Sequence, residues 1–187
     1  MKILDKKNKI YLLDEENFNF PTLDMMKDDL VAVGGDFHPQ RLLNAYENGI
    51  FPWYIDEYNY IHWFSPNKRM VLKPDEMKVS KSLKKSISNR GFVIKSNENF
   101  EAVMRACSQI KRKHEDSTWI SEEFIQAYTD LHHLDIAFSI ECYLDEELVG
   151  GLYGLLIGDV FCGESMFAKV TDASKVAFYH LCQQAEK

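Results

Sequence analysis

The sequence predicts an α+β protein with a small N-terminal domain (1–65) and a larger domain (66–187) built on an antiparallel meander. Three β-prone runs predict the strands of this meander: Ala137–Leu144, Leu148–Ile157 and Val160–Phe167. The pairs Asp145-Glu146 and Gly158-Asp159 predict tight turns between them. A helix preceded by Asp172 follows, and further helices come before the meander. Glycines inside the middle strand predict a bulge or a close approach by a ligand.

The N-terminal part combines a helix with an aromatic-rich segment. Pro39 suits the first turn of a helix over 39–48, and Gly49 suits its end. Phe51-Pro52-Trp53-Tyr54 and Trp63-Phe64 predict proline-punctuated loops, because proline is excluded from central strands. Such aromatic loops form either a small second core or a stacking platform for a nucleobase. Arg69–Lys73 predicts a further strand.

Composition narrows the classes of function. The chain has 187 residues and a net charge of −7, which argues against non-specific coating of nucleic acid. No apolar run is long enough to cross a membrane, and the first residues do not resemble a signal peptide. The four cysteines are widely spaced, as in a reducing compartment, and no spacing suits a metal site. We therefore expect a cytoplasmic protein that binds neither metal nor membrane.

One acid stands alone in the third strand of the meander. Regular alternation places Cys162, Glu164 and Met166 on one face of this strand. The same alternation places the intervening residues on the other face: Phe161, Gly163, Ser165 and Phe167. Glu164 is then either a solvated acid on an edge strand or an acid in a pocket.

A basic stretch runs against the acidic balance of the chain. Between Met77 and Ser96 the sequence has six basic residues and no acidic one. A helix over 80–89, with Ser80 as its N-cap, places Lys81, Lys84 and Lys85 on one face. The surface is either an ordinary solvated helix face or a contact for nucleic-acid phosphates.

The meander followed by a helix is typical of acyltransferases of the N-acetyltransferase type. That fold holds the pyrophosphate of coenzyme A in a glycine-rich turn at a helix N-terminus. The corresponding segment, Ala168–Lys175, has no glycine, and Asp172 would repel a pyrophosphate. We therefore expect no coenzyme A and no other cofactor.

Several segments together resemble the bacterial leucyl/phenylalanyl-tRNA–protein transferases. In chain order they begin at Leu30 (LVAVGGD), Arg41 (RLL-AY--GIFPW), Trp63 (WFSP--R-VL), Thr118 (TWIS), Glu147 (ELVGGLYG) and Phe161 (FCGESMF). The resemblance implies a small N-terminal domain joined to an N-acetyltransferase-like domain. It also implies transfer of Leu or Phe from aminoacyl-tRNA to proteins that begin with Arg or Lys. The products are thereby marked for degradation by the N-end rule.

The resemblance also implies roles for individual residues. Trp53 and Trp119 match tryptophans that enclose the terminal adenosine of the tRNA, and Tyr46 lies beside them. Around the donor side chain, the matching positions are Leu152, Phe161 and Met166. Glu164 matches the glutamate near the reacting amine and ester. On the helix that meets the tRNA acceptor stem, the matching residues are Lys81, Lys84, Lys85 and Arg90.

Family members continue with a strand that reads Leu-Ile-Asp-Cys-Gln, which this sequence lacks. Its acid and amide are assigned to catalysis in the family. A non-catalytic aminoacyl-tRNA-binding protein is therefore an alternative to the enzyme, and a coenzyme A-dependent acetyltransferase is a third hypothesis.

Overall fold

The first unit of the chain is built on a mixed five-stranded sheet. In the computed structural model, which describes residues 1–110 and 118–185, the chain divides into two units, Met1–Met70 and Val71–Lys187. The strands of the first unit are β1 (Lys2–Asp5), β2 (Ile10–Leu13), β3 (Leu30–Gly34), β4 (Phe51–Ile55) and β5 (Ile61–Phe64). Their spatial order is β1-β2-β3-β5-β4, and only β2 and β3 are parallel. A single helix, α1 (Pro39–Glu47), accompanies this sheet.

The start of α1 follows from its sequence. The His38 side chain accepts a hydrogen bond from the Gln40 amide, and Pro39 occupies the first turn. Gly49 follows the helix with φ of +70°, a conformation that glycine adopts without strain. The predicted helix is therefore confirmed.

A buried arginine ties α1 to the segments before it. Arg41 is fully buried, and its Nε donates to Asp36 Oδ1 at 3.0 Å. Its terminal nitrogens donate to the backbone oxygens of Asn17, at 3.0 Å, and Asp14, at 2.7 Å. Every donated bond compensates part of the cost of burying the charge. Two of the motifs quoted above, those that begin at Leu30 and Arg41, thus have a structural role here.

The second unit contains four helices and a four-stranded antiparallel sheet within the described residues. The strands, in the order β6-β7-β8-β9, are β6 (Val93–Ser96), β7 (Ala137–Leu144), β8 (Glu147–Ile157) and β9 (Val160–Ala168). The helices are α2 (Lys81–Asn89), α3 (Phe100–Gln109), α4 (Glu122–His133) and α5 (Ala173–Ala185). The α5 helix packs on one face of the sheet, and contacts of α3 and α4 cover the other. None of the described helices has the length and apolar character to cross a bilayer.

The α+β class and the meander are confirmed. Asp145 and Glu146 both have positive φ, at +49° and +66°, as a two-residue hairpin turn requires. Gly150 allows the start of α5 to pack on β8, because a Cβ there would lie 2.5 Å from the Cβ of Ala173. In the described structure, the close approach at this glycine is therefore made by a helix.

Two predictions are wrong. The segment 69–73 forms no strand, and a single 3-10 turn, Pro74–Glu76, follows it. The aromatic segment forms the β4–β5 hairpin instead of loops. Pro52 is compatible with this hairpin because β4 is an outer strand, where a missing amide hydrogen breaks no ladder.

Candidate active site

A β-bulge places Glu164 outside the regular ladder of β9. Tyr153 pairs with Ser165, and the next residue, Gly154, pairs with Gly163. Glu164 is thus the extra residue, and its side chain is partly exposed. Bulges turn a side chain away from the regular alternation and are common beside active sites. The bulge that the glycines predicted is confirmed at this position.

Gly154 is required by the geometry of this bulge. A Cβ at position 154 would lie 2.3 Å from the carbonyl oxygen of Cys162 and 2.7 Å from the Phe161 ring. A backbone oxygen cannot move aside as a flexible side chain can. Gly163, across the pair, has room, because the nearest atom to its added Cβ is 3.8 Å away.

The bulge also changes which residues of β9 share a face. Since paired residues project to the same side, Met166 lies on the face of Leu152, and Phe161 on the face of Leu156. Both pairs are on the side covered by α5, whereas Phe167 approaches Val103 of α3 through Gly151. The predicted regular alternation is therefore wrong beyond Glu164. The correction places all three predicted donor-pocket residues on one face.

A cavity of about 240 Å³ lies on this face, beneath the C-terminal half of α5. Its apolar wall consists of Phe138, Ile140, Leu156, Phe161, Leu181 and Ala185. Ser96 and Gln184 stand beside it, and Gln184 Nε2 lies 3.3 Å from Ser96 Oγ. Small-molecule sites commonly have this composition, mainly apolar with a few polar groups.

The three predicted donor-pocket residues differ in their relation to the cavity. Phe161 lines it. Leu152 is 3% exposed and belongs to the apolar core under α5, and Met166 is 47% exposed on the outer strand. Leu181 and Ala185 line the cavity although neither was predicted, because a helix stripe does not reveal which of its residues face a void.

A second bulge sets the position of Trp53 in the first unit. Pro52 pairs with Trp63 and Tyr54 with His62, so Trp53 is the extra residue of β4. Trp53 is 48% exposed, and its ring meets Phe64 edge-on at 4.9 Å between centroids. Trp63, by contrast, is fully buried and donates from Nε1 to the Gly34 oxygen at 2.8 Å. The hairpin therefore forms a core on one face and exposes rings on the other, and the stacking of a nucleobase on these rings stays a prediction.

The exposed side of this hairpin is called the aromatic face below. Its members are Phe51, Trp53, Tyr54, His62 and Phe64. Tyr46, the third residue expected near the adenosine, is buried on α1. Trp119 belongs to the second unit, where its half-buried ring meets Phe124 edge-on at 5.4 Å.

The basic helix is exposed along its lysine side. The side chains of Lys81, Lys84 and Lys85 are all exposed, and none has a carboxylate partner within 4 Å among the described residues. Arg90 is exposed as well, but it donates to the backbone oxygen of Thr171 at 2.7 Å. Three lysines of the predicted tRNA surface are thus accessible to a ligand, and Arg90 also donates a hydrogen bond within the protein.

Asp172 is held at the start of α5 by the basic helix. Its carboxylate accepts from the Ser86 hydroxyl at 2.8 Å and from Lys175 at 3.1 Å. The bond from Ser86 and that from Lys175 hold the pKa of Asp172 below its usual value. The residue is therefore ionised at neutral pH, and this end of α5 is unfavourable for a pyrophosphate.

The cysteines do not favour nucleophilic catalysis. Burial raises the pKa of the Cys142 thiol to about 11, which makes it a poor source of thiolate. Cys107 and Cys182 are also buried, and Cys162 is partly exposed. No group of three potential metal ligands exists among the described residues.

Comparison with known proteins identifies relatives of the chain. The family model described as leucyl/phenylalanyl-tRNA protein transferase matches residues 71–187, and the model of its N-terminal domain matches 35–67. A transferase of this name from Flavobacterium johnsoniae is 47% identical over 95% of the chain and 84% of its own length. The same name is carried by proteins from Sulfurimonas denitrificans (50% identical, 89% and 72%) and Hydrogenovibrio crunogenus (49%, 93% and 69%). These matches confirm the predicted family and its enzyme class, an aminoacyltransferase. The chain belongs to the leucyl/phenylalanyl-tRNA–protein transferase family.

Proposed function

We propose that the protein transfers Leu or Phe from aminoacyl-tRNA to the N-terminal Arg or Lys of acceptor proteins. The observation that carries this proposal is the apolar cavity beneath α5, which has Phe161 on its wall and lies on the strand that carries the bulged Glu164. An apolar cavity suits a hydrophobic side chain such as that of Leu or Phe and disfavours polar ones. We further propose that the products are degraded by the N-end rule in the cytoplasm.

The reaction needs positioning more than chemical activation. The α-amino nitrogen of the acceptor attacks the ester carbonyl carbon and forms an amide. The bond from that carbon to the ribose oxygen breaks, and the terminal adenosine leaves with its hydroxyl restored. An α-amino group has a pKa of ~8, so about a tenth of it is already neutral at pH 7. Glu164 would hydrogen-bond the amine and accept its proton as the amide forms.

Other residues would hold the remaining parts of the substrate. Trp53 and Trp119, with Tyr46 beside them, would hold the terminal adenosine. Lys81, Lys84, Lys85 and Arg90 would contact the acceptor-stem phosphates. Leu152 and Met166 would border the side chain bound at Phe161. The finer fold assignment, an N-acetyltransferase-like domain over 66–187 after a small domain over 1–65, belongs to this proposal.

The test is a transfer assay with tRNA charged with radiolabelled Phe. The acceptor is a peptide that begins with Arg, and the control is the same peptide with an acetylated N-terminus. We expect label in the first peptide only. Glu164→Gln keeps the size of the side chain and removes its basicity, so it should lower kcat by about 100-fold.

Two results would contradict this proposal. Specific binding of charged tRNA without transfer would favour the alternative, a non-catalytic aminoacyl-tRNA-binding protein. Heat released on addition of acetyl-coenzyme A in a calorimeter would favour an acetyltransferase. The second result is not expected, because the carboxylate of Asp172 at the start of α5 would repel a pyrophosphate.

A further inference from the structure

The aromatic face exposes a second ring besides that of Trp53. Trp53 is the one member to which the family resemblance gives a role. Tyr54, the next residue, is 37% exposed, and its ring is stacked on His62 with centroids 4.5 Å apart and planes 17° apart. A second flat ring is therefore exposed directly beside the first.

The Tyr54 ring is supported from below. His62 Nε2 lies 2.8 Å from Asp56 Oδ2, and Asp56 also accepts from the amides of Tyr58 and Tyr60, each at 2.9 Å. These bonds, led by that of His62, hold the pKa of Asp56 below its usual value. The carboxylate is thus an acceptor only, so His62 donates and its ring orientation is fixed. A pre-oriented ring loses little entropy when a ligand stacks on it.

A cation lies over a different ring of the same face. The guanidinium of Arg69 lies over the Phe51 ring, 4.7 Å from its centroid, and the residue is exposed. Arginine in this geometry is held by the ring and still has donors free to bind a phosphate. Rings flanked by a cation are the combination with which proteins bind single-stranded nucleic acid.

We propose that the aromatic face is a second nucleotide site, in which Tyr54 stacks the nucleobase that precedes the terminal adenosine and Arg69 binds the phosphate between the two. This inference rests on the proposed function, since it assumes that a tRNA acceptor end is the substrate. It extends that function from one nucleotide to the single-stranded tail. A nucleobase is favoured over a protein partner because all five members of the face are flat rings, on which any base can stack.

The experiment compares two stable probes. One is terminal adenosine joined to Phe by an amide in place of the ester, and the other is the same compound preceded by two cytidines. For the unaltered protein we expect the longer probe to bind about five-fold more tightly or better, measured by competition in fluorescence anisotropy. Tyr54→Ala should abolish this gain and leave the affinity for the short probe unchanged. Tyr54→Phe should retain it.

Tyr58→Ala is the matched control, because Tyr58 is 72% exposed in the turn of the same hairpin and belongs to no proposed site. A gain that persists in Tyr54→Ala would overturn the inference. Equal affinity of the unaltered protein for both probes would also overturn it and would leave the face to a protein partner. If neither probe binds, the proposed function fails together with the inference.

Discussion

The two bulged hairpins, β4–β5 and β8–β9, each displace one side chain from the regular alternation of a strand, but they are stabilised in different ways. Each has its extra residue in the outer strand of its sheet, Trp53 in one and Glu164 in the other. The Trp53 bulge is supported by ring contacts with side chains of its own face. The Glu164 bulge depends on an absent side chain, because Gly154 faces the Cys162 oxygen. We therefore expect substitutions at the Trp53 bulge to lower the free energy of unfolding less than substitutions at the Glu164 bulge.

The largest difference in stability should be between substitutions of the two tryptophans of the β4–β5 hairpin. Trp63→Ala removes a fully buried ring and should lower the free energy of unfolding by about 3–5 kcal/mol. Trp53→Ala removes an exposed ring, so unfolding in urea should change little while affinity for the adenosine analogue falls by about 1–3 kcal/mol. A large loss of stability for Trp53→Ala would show that its ring belongs to the core.

Gly154→Ala tests the second bulge directly. The added methyl group meets a backbone oxygen, so the strand must shift and the free energy of unfolding should fall by about 3 kcal/mol. Transfer activity should fall by more than the loss of folded protein accounts for, because the shift of the strand changes the direction of the Glu164 side chain. The control is Gly163→Ala, which has room for its methyl group. Equal stability of the two variants, measured in urea, would contradict the proposed role of Gly154.

Leu181→Phe tests whether the cavity beneath α5 selects the amino acid that is transferred. The larger ring would fill part of the cavity and should shift kcat/KM toward Leu over Phe by about ten-fold. Affinity for adenosine lacking an amino acid should not change. Unaltered selectivity with normal stability would place the donor side chain elsewhere.

Charge removal on α2 should affect neither hairpin. Replacing Lys84 and Lys85 with Gln removes two phosphate contacts, so the dependence of log K on log salt should become shallower by about 2. The ratio of Leu to Phe transfer should stay the same, because neither side chain lines the cavity beneath α5. Ser88→Gln on the same helix serves as a control for altered side-chain volume without loss of charge. An unchanged salt slope would contradict phosphate contact.

The smallest effect concerns the pH dependence of stability. Because the pKa of Asp172 is lowered in the folded protein, its contribution is fully present above the unfolded pKa of ~3.9 and is lost as pH falls through the folded value. Asp172→Asn should therefore be less stable than the unaltered protein at pH 7, and the two should converge once the pH falls below the pKa of Asp172 in the folded protein. Thermal unfolding across this range measures the convergence. A difference that persists at low pH would mean that packing, not charge, stabilises this residue.

The sequence predicts the meander well because its signals are local. The turn at Asp145-Glu146 and the cap at His38-Pro39 depend on neighbours in the chain. The bulge at Glu164 has no such signal beyond its glycines, so strict alternation assigns Phe161 and Met166 to opposite faces, although they share one. The sequence excludes Pro52 from a central strand but does not reveal that β4 is an outer strand, because this position depends on tertiary pairing. The cavity depends on how α5 lies over the sheet, which no local pattern encodes.

Two hydrogen bonds join α2 to the start of α5 and thereby connect the basic helix to the cavity. Ser86 and Arg90 hold Asp172 and Thr171, and α5 continues from there to form the wall of the cavity. A phosphate bound on α2 and a side chain bound under α5 therefore act on one connected body. By thermodynamic linkage, any help that the tRNA gives to amino-acid binding must be returned in equal measure. An uncharged tRNA lacks both the contacts of the amino acid and this coupling, so it would bind more weakly than a charged one, which would favour release of the spent substrate after transfer.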